Sequence, residues 1–187
     1  MDPDRKERRA NPPLIMNFLK NILTSSQYPI VIAQYERDDY SFDHPEQLHW
    51  AIIVLENVKN QKGQCWQAVD RHFRDGRVEW MIAHKVVKLG NTTKCLGGVC
   101  IGHIEPDQVD DIREVILSHT PMIRFHGWNC RDWIMEVISV LKNNEFVKYD
   151  IPDTQDGYFS SMRAAGQKTL VRRGKGKHGV KIVSINE

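Results

Sequence analysis

Apolar positions change their spacing along the chain, and the change divides it into strands and helices. The run "YPIVIAQYE" (28–36) is apolar with polar ends, and "LHWAIIVLE" (48–56) is the most continuously apolar stretch, which predicts a central strand buried on both faces. "NVKNQKG" carries turn residues, and "QCWQAVDRHF" (64–73) reads as the returning strand. The Asp75–Gly76 pair signals a second hairpin, with "RVEWMIAHKVVKL" (77–89) as its other arm. After "GNTTK", "CLGGVCIGHI" (95–104) predicts one more short strand. Beyond Pro106 the period becomes helical. Val109, Ile112, Val115 and Ile116 mark a helix to about 118, ending before Pro121. Cys130, Trp133, Ile134, Val137, Ile138 and Leu141 form a second stripe, and "YFSSMRAAGQ" (158–167) a short last helix. Near the start, Leu14, Ile15, Phe18, Leu19, Ile22 and Leu23 share one helical stripe behind Pro12 and Pro13.

These elements predict an α+β fold, an antiparallel five-stranded sheet with flanking helices. The expected organisation is a flexible arm over 1–11, a single domain over 12–167 and a basic tail over 168–187. Composition changes little in this picture. The 187 residues are 41% hydrophobic and 27% charged, with a formal net charge of +2, which implies no specific nucleic-acid partner. Four cysteines are too few for a disulfide framework in a chain of this length. With no apolar run of about 20 residues and no leader pattern, the expectation is a cytoplasmic protein with reduced thiols and no transmembrane segment.

The chemistry gathers at "HGWNCRDWI" (126–134). With Asn129 as N-cap, Cys130 becomes the first helical residue, where unpaired N–H groups and the helix dipole favour a thiolate. The same N–H groups can hold an oxyanion. Cys130 also continues an apolar stripe, so packing is the competing explanation. His49 tips the balance, because an apolar strand has no structural need for an imidazole at its start. A turn centred between Lys59 and Asn60 sets Asp70 opposite His49 as the group that orients its ring; a slip of two residues substitutes His72. Trp128, His126 and Asn129 lie close enough in sequence to contribute to a substrate pocket alongside His72.

Two other groupings carry weaker signals. Cys95, Cys100 and His103 can supply three zinc ligands, but no fourth has matching spacing, and two strand cysteines are the simpler reading. His84 reads as a strand-end surface residue. The cations Lys168, Arg172, Arg173, Lys175 and Lys177 suit RNA or anionic lipid, against the commoner solvated tail.

"NCRDWI" and "LHWAIIV" together resemble the circularly permuted papain-like proteins of the NlpC/P60 superfamily, which include lecithin:retinol acyltransferase-like and PPPDE (DeSI-like) enzymes. In the permuted order a strand histidine precedes a helix cysteine, and the likeness spans about 28–143. The chain also resembles a fungal group with "HWA" and "NC-x-x-W" motifs. The resemblance implies a permuted papain-like fold with Cys130 as nucleophile, His49 as general base and Asp70, or His72, as third group. It departs from the acyltransferase branch in lacking a second histidine aligned on the next strand and a membrane-anchoring C-terminal helix.

The expected function is a cysteine-dependent hydrolase or acyltransferase acting on an amide, ester or thioester, with no metal and no organic cofactor. Its partner is a small-molecule acyl substrate, a peptide or a protein. The alternatives are a non-catalytic binding module on the same frame, or a cofactorless cyclase or isomerase using the cleft.

Overall fold

The computed structural model describes residues 27–37 and 40–185. Six strands form one mixed sheet in the order β4-β3-β2-β1-β5-β6. They are β1 (Tyr28–Tyr35), β2 (His49–Asn57), β3 (Lys62–His72), β4 (Val78–Lys88), β5 (Cys95–Ile104) and β6 (Ile182–Ser184). The helices are α1 (Val109–Ser118), α2 (Cys130–Asn143) and α3 (Asp156–Gly174). The N-terminal arm and the stripe at 14–23 lie outside the described residues.

β2 is central because six successive residues, Trp50 to Leu55, are fully buried, as its unbroken apolar run requires. Its even-numbered residues Trp50, Ile52 and Val54 pack with Ile30, Ile32 and Trp66 against Ile116, Trp133, Ile138 and Met162 of the three helices. Its odd-numbered residues Ala51, Ile53 and Leu55 join Val31, Ala33 and Cys65 on the opposite face, where Leu89 and Val180 add cover. β4 forms one edge, and its exposed Glu79, Lys85 and Lys88 discourage further strand pairing.

Two expectations need correction. The sheet has six strands rather than five, and it is mixed, because β6 runs parallel to β5. The region from Lys168 onward is also no simple tail. Residues 168–174 continue α3, and the chain then returns to the sheet as β6. Small residues explain why. Ala165, Gly166 and Thr169 are buried along α3, and the left-handed Gly97 (φ +96°) lies close to the Thr169 hydroxyl and the carbonyls of Ala165 and Lys181. A methyl group at position 97 has no room there, so the close helix–sheet approach depends on glycine.

Candidate functional site

Cys130 begins α2 as expected. Asn129 caps the helix, its side-chain oxygen accepting from Arg131 N–H at 3.0 Å. Asp132 completes a capping box by accepting from Asn129 N–H at 2.9 Å. Arg131 then fixes this helix start to its neighbours. It donates to the Leu48 carbonyl just before β2 at 3.1 Å and to Gln155, the residue before α3, at 3.1 Å. Gln155 in turn donates to Asp132 at 2.7 Å. The preceding loop is pinned to α2 as well. Glu136 accepts from Trp128 Nε1 and pairs with His119 Nε2, each at 2.8 Å, and Trp133 Nε1 donates to the His119 carbonyl at 2.9 Å.

This bracing sets Cys130 against the first residues of β2. The His49 ring and the Trp50 backbone N–H both favour the ionised form of the thiol. His49 Nε2 lies 2.9 Å from Gln67 Oε1 on β3. An amide oxygen only accepts, so the Nε2 atom carries the hydrogen, and Nδ1 is left to take a proton from the thiol. Both side chains border a cavity of about 450 Å³ whose walls also include Tyr35, Arg37, Asp70 and Trp80.

Four cysteines permit an internal comparison. Burial pushes Cys65 up to about 12 and Cys95 up to about 11, and it also raises Cys100. Cys130 is equally enclosed, at 1% exposure, and burial acts on it in the same direction. There the His49 hydrogen bond and charge, aided by Trp50 N–H and Arg131, outweigh burial and leave the thiol below its ordinary value. His49 moves the opposite way. Burial lowers it, but the hydrogen bond and charge of Cys130, with Gln67, raise it overall. Each group thus favours the charged form of the other.

Gln67 occupies the place expected for Asp70. The turn does pair Asn57 with Lys62, as a centre between Lys59 and Asn60 requires, but the register then shifts by one residue. Val54 faces Gln64 and Ile52 faces Trp66, so Gln67 shares the His49 face while Asp70 falls on the alternate one. Asp70 instead bonds His72 at 2.7 Å, and that hydrogen bond, over a small opposing effect of burial, holds its carboxyl below the usual range. His72 is 70% exposed and makes its contact with Asp70 rather than with His49.

Trp128 is buried behind the cavity wall, its ring edge-on to Trp80 at 4.9 Å, and it supports the wall rather than forming the lining surface. His126 is exposed on the loop and borders no part of this cavity. His84 stacks on Trp66 at 5.0 Å, away from the cavity. Cys100 lies 3.8 Å from His103, whereas Cys95 is fully buried in the opposite cluster, against which the partly buried Tyr35 packs. Among the described residues no three His, Cys, Asp or Glu side chains are gathered as metal ligands.

Because Gln67 fixes the imidazole, Gln67→Leu is expected to slow Cys130 alkylation at neutral pH roughly tenfold, about the effect of one lost hydrogen bond to a charged group. Gln67→Glu should retain the rate. Equal rates in all three proteins, measured by mass spectrometry, would show that Gln67 has no part in setting the thiolate.

The fold and site define an α+β protein with a braced cysteine–histidine–glutamine constellation at a helix start. A family model described as a family of unknown function (DUF6914) matches residues 29–178, and the chain belongs to that family. No curated protein and no solved structure matches it. Among the described residues no helix is long and apolar enough to cross a membrane.

Proposed function

We propose that the protein is a cysteine-dependent hydrolase or acyltransferase on a permuted papain-like frame. The single observation that carries this reading is that Cys130 at the start of α2 and His49 at the start of β2 border one cavity, with the His49 ring held 2.9 Å from Gln67; burial raises the other three thiols, whereas His49 holds this one below its ordinary value. The chain order, strand histidine before helix cysteine, agrees with the permuted arrangement.

In the proposed reaction His49 Nδ1 takes the Cys130 proton and the thiolate attacks the carbonyl carbon of an amide, ester or thioester. The carbonyl π bond opens, and the oxyanion lies against the Cys130 backbone N–H at the start of α2, since the Asn129 cap takes the N–H groups of Arg131 and Asp132. Collapse expels the leaving group, which takes its proton from the His49 imidazolium, and leaves a thioester on Cys130. Water or an amine then attacks with His49 as base, a second tetrahedral species forms, and its breakdown returns the thiol and releases the acid or the new amide. Gln67 keeps the ring hydrogen on Nε2 throughout.

Intact-mass analysis after brief exposure to a panel of aryl esters and thioesters tests this scheme. The expected result is a single acyl adduct mapped to Cys130, absent from both Cys130→Ala and His49→Ala. Acylation that persists in Cys130→Ala would place the reactive group elsewhere and end the proposal.

A further inference from the structure

A second concave surface, unrelated to the cysteine, lies where α3 ends and β6 begins. It encloses about 530 Å³ and is bordered by Lys168, Arg172, Lys175, Lys177 and Lys181, with Val171, Ile182 and Val183 as its apolar part. An adjoining hollow of about 700 Å³ shares Arg172 and Lys181 and adds Lys59, Lys88 and His178. No carboxylate is found among the described residues bordering either one. The sequence concentrates this charge, because no Asp or Glu occurs between positions 157 and 186 of a chain that is otherwise nearly balanced.

Helix termination explains only part of that charge. Cations in a last turn complement the helix dipole and cap carbonyls. Arg173 lies in that last turn but donates across to the carbonyls of Thr92, Thr93 and Cys95 at the start of β5, and Arg172 donates to the carbonyl of His178 beyond the helix. Lys175, Lys177 and Lys181 lie beyond the helix and are exposed.

The backbone bearing these lysines is anchored at several points. Gly176 and Gly179 turn the chain with positive φ. Gln61 bonds both the N–H and the carbonyl of Val180, at 2.9 and 2.8 Å. The Lys181 N–H donates to Thr169 at 2.8 Å, and its carbonyl accepts from Gly98 N–H at 3.1 Å. Like charges are therefore held together on a fixed, hollow surface, at a cost in mutual repulsion that an anion relieves. A fixed backbone also reduces the ordering cost of binding.

We infer that this groove is a binding site for a ligand carrying several phosphate groups, either free or displayed as a lipid headgroup. The described residues bordering it include no Trp, Tyr or Phe on which successive bases could stack, which favours a compact polyphosphate over single-stranded nucleic acid. Unlike the thiol chemistry, this site makes no use of Cys130 or His49.

Sodium tripolyphosphate is the probe, titrated calorimetrically into the full chain at about 150 mM salt, where long-range screening is strong. Binding is expected, and K175E/K177E/K181E should weaken it by at least about tenfold, as loss of several charge-assisted contacts implies. The corresponding triple alanine variant should lie between, and circular dichroism confirms that both remain folded. Lys148→Glu, an exposed change outside the groove, should leave affinity within about twofold, since a distant exposed charge is screened.

Phosphatidylcholine vesicles with and without phosphatidylinositol bisphosphate distinguish the two sources. Capture by the phosphoinositide vesicles that tripolyphosphate reverses assigns the lipid headgroup; tripolyphosphate binding without capture assigns a free ligand. No binding to tripolyphosphate, an equal loss in Lys148→Glu, or duplex RNA binding indifferent to tripolyphosphate would each overturn the assignment.

Discussion

His49→Ala is expected to slow iodoacetamide alkylation of Cys130 at neutral pH by roughly 10²-fold, within the usual contribution of a positioned base. The reason lies in the balance at the thiol. Burial is the largest influence and acts upward; the His49 hydrogen bond and charge, Trp50 N–H and Arg131 act downward and prevail. Removing the imidazole deletes the two leading downward contributions and leaves burial in place. The inflection of alkylation against pH, expected below the ordinary thiol value of 9.0 in the native protein, should therefore move upward in the variant. Each unit of that movement lowers the thiolate fraction about tenfold at a pH well below the inflection. An inflection unmoved by the substitution would mean that Cys130 owes nothing to His49, and the proposed catalytic pair would be lost.

The same shifts fix the pH dependence of folding and catalysis. Cys130 is depressed on folding, so its contribution to stability is present above 9.0 and disappears as pH falls through its lowered folded value. His49 is raised, so its contribution is present below 6.5 and disappears as pH rises through its raised folded value. The two groups titrate as one coupled pair. A bell-shaped kcat/KM is the corresponding catalytic expectation, with its acid limb below 9.0 and its alkaline limb above 6.5.

The sequence announces both halves of this pair but not the group that orients the imidazole. Cys130 was legible because helix starts follow local rules: Asn129 and Asp132 stand at the spacing of a capping box, and the apolar stripe behind them gives the helix direction. His49 was legible because an imidazole interrupts an otherwise apolar strand. Its partner was not. Choosing between Asp70 and Gln67 depends on a one-residue shift between Asn57 and Val54, and no residue type in that stretch announces it. Counting back from the turn gives the right pairing at Asn57–Lys62 and the wrong face at His49.

The C-terminal error has a different origin. Beyond position 167 the apolar period fades, because α3 approaches the sheet through the small residues Ala165, Gly166 and Thr169 instead of a leucine-rich stripe. Three residues then suffice for an edge strand whose pairing is decided by β5, far away in sequence. Neither signal is local, so a basic tail was the natural reading of a segment that is in fact anchored.

Trp133→Ala should have the largest effect on stability, a loss of about 3–5 kcal/mol as is usual for truncating a buried tryptophan. Trp133 is fully buried on α2 and belongs to the cluster joining all three helices to the sheet. The change empties a ring-sized volume and also strips the His119 carbonyl of the indole N–H that it accepts at 2.9 Å. Trp133→Phe keeps most of the ring volume but loses that donor, so it should cost considerably less, and the difference separates packing from hydrogen bonding. Urea unfolding measures both. The site should register the same damage, because α2 carries Cys130 one turn away and the His119 carbonyl belongs to the loop that leads into it. Alkylation of Cys130 in folded Trp133→Ala should thus lose its low-pH inflection. A variant that is destabilised by several kcal/mol yet keeps the native inflection would mean that the Arg131–Leu48 and Asp132–Gln155 hydrogen bonds alone hold the thiol against His49.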